Sequence, residues 1–146
     1  MAMTVDFETN ILKLLFNNTN LANVGDNTGL QGSGSAGEFW GSLHTADPTN
    51  EGNQTSNEAT YTGYARANVA RSTAGWTVSS NTVSNANLIN FPTCTAGNNT
   101  ITHFGVGYSQ TGNGTLQFVG QLTSTLAVSQ NITPGFTANS LVFTAT

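Results

Sequence analysis

An all-β fold is predicted from the sequence: an antiparallel β-sandwich of jelly-roll-like type, preceded by a short N-terminal α-helix and a long arm. Three observations carry this. Charged residues are 7% of the 146-residue chain, against about 25% in a typical soluble domain, so Thr, Ser, Asn and Gly must supply the polar surface. Thr fits pleated strands through its branched Cβ, while Asn and Gly suit tight turns because they tolerate positive φ. From Glu38 onward apolar residues recur with period two, and turn signals punctuate them every few residues, the pattern of a sandwich or barrel.

The one helical pattern comes first. Phe7, Ile11, Leu14 and Leu15 fall on one stripe at helical spacing. Asp6 and Glu8 near its start and Lys13 toward its end suit the helix dipole, and Asn17 or Asn18 suits a left-handed cap. Residues 17–37 follow as a polar, glycine-rich arm. In the first strand Phe39, Gly41 and Leu43 alternate with Trp40, Ser42 and His44, until Asp47-Pro48 breaks it. Tyr61, Gly63, Ala65, Ala67 and Val69 predict a second strand. Trp76–Val78 starts a hairpin whose tip is Asn81, and Leu88–Phe91 ends at Pro92. The clearest hairpin pairs Thr102, Phe104, Val106 and Tyr108 with Leu116, Phe118, Gly120 and Leu122 around Gly112-Asn113-Gly114. Leu126–Val128 and Leu141–Phe143 give the last strands. The expected organisation is one globular domain, with residues 1–37 as helix and extended arm and residues 38–146 as the β-sandwich.

Composition excludes several function classes. Net charge is −4, and Lys13, Arg66 and Arg71 are the basic residues. Nucleic-acid binding needs several cations on one face, and a polybasic route to an anionic membrane needs the same; neither partner is expected. No apolar run approaches the length of a membrane span, and the apolar run 11–16 lacks a basic leader and a small-residue cleavage site. The single cysteine, Cys94, excludes an internal disulfide or a cysteine-rich metal framework. Gly32-x-Gly34-x-x-Gly37 has the letters of a dinucleotide fingerprint, but a strand pattern follows it where a helix is required. His44, Asp47, Glu51 and Glu58 are the densest ionisable group, yet they lack calcium-loop spacing and any nucleophile elbow. No catalytic, cofactor or metal residue is therefore expected, and the chain is not read as an enzyme. Arg66 and Arg71 are candidates to pair with Glu58 or Asp47 across strands or subunits, where an exposed pair would be worth only about 0–1 kcal/mol.

Several stretches together resemble a family of small bacteriophage structural proteins, often labelled tail or tail-fibre-like. They are Ser42–Pro48, Asn57-Glu58, Tyr61–Arg66, Gly75-Trp76, Ile89–Pro92, Thr102–Gly107 and Gly120–Leu122, together with Leu14–Asn18. Their order along nearly the whole chain carries the resemblance. Thr49, where similar sequences have Gly after Asp-Pro, is a departure. The resemblance implies a virion component, assembled in the host cytoplasm, and no catalytic residues.

Small size, the β pattern and low charge then suggest a capsid decoration (cement) protein, a homo-oligomer and by preference a trimer, bound to the major capsid protein. The alternative is a tail or tail-fibre component that contacts tail proteins and binds a receptor or glycan. Phe7, Ile11, Leu15, Trp40, Tyr64, Arg66 and Trp76 are the expected interface residues.

Overall fold

The computed structural model describes residues 2–25, 29–49 and 51–145. Among the described residues the fold is mostly β with one short helix, consistent with an all-β sandwich. Two compact units divide it, each assembled from separated stretches. One comprises Met1–Glu38, Ala70–Leu88 and Phe136–Thr146; the other comprises Phe39–Val69 and Ile89–Gly135.

The first unit is built around the helix. α1 spans Val5–Asn17, with Asp6 and Glu8 in its first turn. Asn18 takes the left-handed conformation at φ 56°, and the Thr19 N–H closes on the Lys13 carbonyl at 3.1 Å, a glycine-like stop supplied by asparagine. The last turn has no basic residue of its own. Arg71 supplies the charge from a distant stretch: its Nε donates to the Leu15 carbonyl and its Nη2 to the Leu14 carbonyl, both at 2.6 Å. These carbonyls have no partner within the helix, so the cation satisfies both them and the dipole. Arg71 therefore serves as a tertiary helix cap.

α1 buries Glu8, Leu12 and Phe16, one residue around from the stripe the spacing predicts. Phe16 lies edge-on to Trp76 at 5.1 Å and stacks with Phe143 at 6.2 Å. Trp76 begins β3 (Trp76–Ser79), which pairs antiparallel with β4 (Thr82–Asn85), and β4 pairs antiparallel with β9 (Val142–Thr144). The β3–β4 turn is Ser80-Asn81, with Ser80 at φ 55°. Buried Asn85 fastens this unit: its amide donates to the carbonyls of Asn87 and Thr137, and its Oδ1 accepts from the Leu141 N–H. The arm after α1 folds back on itself. Leu21 and Leu30 exchange backbone bonds at 2.9 Å, and the Asn18 side chain brackets Ser33.

The second unit holds a sheet ordered β2–β1–β6–β7, formed by β1 (Glu38–His44), β2 (Ala67–Ala70), β6 (Asn99–Gly107) and β7 (Leu116–Val128). The strand expected from Tyr61 begins only at Ala67. Gly63 turns the chain at φ 99°, and the Tyr64 N–H closes a turn on the Tyr61 carbonyl at 3.1 Å. The hairpin around residues 112–114 forms as expected, β6 pairing antiparallel with β7. Its return strand runs on through Leu126 to Val128, but not in regular register. Gln117 is an extra residue between the Gly107–Leu116 and Val106–Phe118 pairs. Residues 122–125 face the single residue Thr102. Phe39, Leu43, Tyr61, Phe91, Ile101, Phe104 and Val106 form the core of this unit. Two-residue strands β5 (Ile89–Asn90) and β8 (Gly135–Phe136) complete the order.

Phe16 is fully buried and holds α1 to β3. Replacing it with Ala is expected to cost about 3–5 kcal/mol in urea unfolding. A loss under about 1 kcal/mol would show that the helix is a loosely attached arm.

Candidate functional site

The densest polar assembly of the second unit is centred on Glu58 and Arg66. The Arg66 Nε meets Glu58 Oε1 at 2.7 Å and its Nη2 meets Oε2 at 2.8 Å, a two-point ion pair. The side chains retain 3% and 15% of their surface, so the guanidinium is buried and the carboxylate half-buried. Arg66 also donates to the carbonyls of Ser109 and Gly112, at 2.9 and 2.8 Å, and so pins both ends of the β6–β7 hairpin tip. The Tyr64 hydroxyl donates to Glu58 Oε1 at 2.9 Å and accepts from the Leu43 N–H at 3.1 Å. Burial first, and the Glu58 charge second, hold the Tyr64 hydroxyl well above the usual phenol range, so it remains a donor.

Beside this pair lies a second buried polar group. His44 Nδ1 is 2.8 Å from the Ser56 carbonyl, and its Nε2 is 2.9 Å from Ser42 Oγ. The carbonyl can only accept, so Nδ1 carries the proton and the Ser42 hydroxyl donates to Nε2. Burial is the largest influence on the imidazole and lowers its pKa from 6.5. Ser42 and His44 are both fully buried, so this serine–histidine contact has no surface from which to meet a substrate. Gln54 is likewise enclosed. Its Nε2 donates to the Trp40 carbonyl, its Oε1 accepts from the Ser109 N–H, and its backbone N–H donates to Gly114. A Cβ on Gly107 or Gly114 would run into the Gln54 side chain, which is why the hairpin needs glycine there.

A cleft of about 270 Å³ opens over the ion pair, lined by Glu58, Tyr64, Ala65, Arg66, Gln110, Thr111 and Gly112. Among the described residues no three of His, Cys, Asp and Glu come together to hold a metal ion. The cleft offers hydrogen-bonding groups: a carboxylate, a phenol, a guanidinium, an amide and a hydroxyl.

The expected interface residues are dispersed. Phe7 and Leu15 on α1 stay 38% and 36% exposed, with Ile11 between them half-buried. Trp40 and Tyr64 are half-buried. Arg66 and Trp76 are buried within their own units, where contacts inside the chain occupy them. Gln54, Ser42, Gln110 and Thr111 carried no signal: they are ordinary polar residues in a chain full of them. The Glu58–Arg66 pairing itself was among the expected ones.

A family model described as podophage GP4 fiber I protein gp80 matches residues 2–144. No curated protein matches the chain.

Two outcomes test the polar assembly. Arg66→Ala leaves the half-buried Glu58 without its partner and the Ser109 and Gly112 carbonyls without their donor, and should cost about 3 kcal/mol in denaturant unfolding; a neutral result would mean that the pair is solvated. His44 is held neutral in the fold, so below about pH 6.5 the unfolded chain binds a proton that the folded chain refuses. Stability should therefore fall as pH drops from about 7.5 to about 5.5. His44→Gln should flatten that slope, and an unchanged slope would assign it to other groups.

Proposed function

The chain belongs to the podophage GP4 fiber I family, and from that premise we propose that it is a structural component of the phage tail fibre apparatus. It is a bacteriophage virion structural protein, and a fiber family implies contact with other tail components. The same family fits the tail-fibre reading better than the capsid decoration reading that size and low charge favour. The match from residue 2 to residue 144 carries this conclusion, because it spans both compact units.

The structure adds two supports. The conspicuous polar groups (Glu58–Arg66, Ser42–His44 and Gln54) are used to fasten strands and turns, which suits a part whose work is shape. The second support is on α1, which buries the stripe of Glu8, Leu12 and Phe16 and leaves the neighbouring stripe of Phe7, Ile11 and Leu15 partly uncovered, with Met3 and Val5 exposed at its start. In an assembled tail this apolar stripe meets a neighbouring subunit, whether a copy of this chain in a homo-oligomer or another tail protein.

Imaging purified virions with an antibody to this chain, together with its copy number by quantitative mass spectrometry, tests the reading. Label at the tail and a low ratio to the major capsid protein are expected, with Leu15→Glu reducing incorporation while leaving the purified protein folded. Label over the shell at near-equal copy number would sink it.

A further inference from the structure

We propose that the cleft beside the Glu58–Arg66 pair is a binding site for a neutral, hydroxyl-rich ligand, a single sugar ring presented by a glycan. The charges in the cleft cancel, since the carboxylate and the guanidinium lie against each other at two points. An anionic ligand finds no unbalanced cation there, and a cation finds no unbalanced acid. An apolar ligand would have to strip water from a polar floor without replacing its hydrogen bonds. A ring of hydroxyl groups, each both donor and acceptor, is the chemistry that remains.

The hydrogen-bond inventory of the floor matches that ligand. A carboxylate has about four acceptor positions and a guanidinium has five N–H donors. Glu58 Oε1 accepts from both Tyr64 and Arg66, whereas Oε2 accepts from Arg66 alone. Arg66 directs Nε, both hydrogens of Nη2 and one of Nη1 to Glu58, Gly112 and Ser109. One acceptor position on Glu58 Oε2 and one N–H on Arg66 Nη1 remain, an acceptor and a donor for the hydroxyls of a ligand. Gln110 and Thr111 add an exposed amide and an exposed hydroxyl on the wall.

Size and rim agree. At about 270 Å³ the cleft falls just below the roughly 300 Å³ at which pockets for drug-sized ligands begin, which fits one ring and not a chain of them. On the same hairpin tip, two residues before Gln110, Tyr108 stacks one face on Phe39 at 5.9 Å and remains 56% exposed. An aromatic ring with one face supported and the other open is a surface on which the C–H face of a sugar can lie. Five hydrogen bonds made by Arg66 and Glu58 hold the floor before any ligand arrives, which lowers the cost of ordering it.

This inference goes beyond the fibre assignment and does not depend on it: particle imaging decides the one, and binding to the purified chain decides the other. The test is saturation-transfer NMR on the full chain with free glucose, galactose, mannose and N-acetylglucosamine, with N-acetylneuraminic acid and glucuronic acid as charged comparisons. At least one neutral sugar is expected to bind. Gln110→Ala, an exposed change that leaves the floor intact, should weaken it about three- to ten-fold, as the loss of one neutral hydrogen bond does; Thr111→Val offers the same reading should the first variant fold poorly. Tyr108→Ala should also weaken binding. No binding by any neutral sugar, preference for the charged ones, or binding indifferent to all three substitutions would overturn the proposal.

Discussion

The second unit depends on burying one cation against one anion. Taking either charge out of water alone would cost several kcal/mol, so Arg66 and Glu58 must meet with good geometry or not at all. The planar guanidinium then has N–H groups left over, and it places them on the carbonyls of Ser109 and Gly112. Those carbonyls bracket the hairpin tip, while the Glu58 carboxylate receives the Tyr64 hydroxyl, which in turn takes the Leu43 N–H of the central strand β1. A turn, a strand and a hairpin far apart in sequence are thus fixed by one ion pair. The cleft inherits its shape and its electrical neutrality from the same contact.

The first unit solves a similar problem with the other arginine. A helix of 13 residues is marginal alone, and its own last turn carries no cation. Arg71 reaches the Leu14 and Leu15 carbonyls, Asn18 Oδ1, the Ser33 hydroxyl and the Ala36 carbonyl. It joins the end of α1 to the arm that follows, while Phe16 fills the apolar space against Trp76. In a chain with so few charges, both arginines act as internal fasteners, and amide side chains such as Asn85 and Gln54 do comparable work at lower electrostatic cost.

Much of this architecture was legible in the sequence. The β6–β7 hairpin could be read because alternation and the Gly-Asn-Gly turn agree, and the end of α1 because Asn tolerates positive φ. What could not be read has a common cause. Ser42 and His44 look like the solvent side of β1, yet both are buried, hydrogen-bonded to each other, and the His44 Nδ1–H is taken by the carbonyl of Ser56 from a distant stretch. Tyr61–Arg66 alternates like a strand, but Gly63 and the inward turn of Tyr64 override the pattern. Trp76, one of the expected interface residues, is the wall against which α1 packs inside its own unit. In each case a partner distant in sequence decides the outcome, and local periodicity has no access to it. The cleft was hidden for the same reason: Arg66 and Glu58 were visible as a pair, but nothing in the sequence placed Gln110 and Thr111 beside them.

The irregular register of β7 bears on how such a polypeptide survives at high local density. It is the outer strand of its sheet, and residues 116–128 include no charge and no proline, the devices by which soluble β-proteins commonly discourage sideways growth. The extra residue at Gln117 and the protruding 122–125 segment break the row of backbone groups into short, misaligned pieces. A foreign strand laid along this border would lose step after a few residues. Kinked geometry therefore stands in for electrostatic repulsion along this border of a nearly uncharged chain.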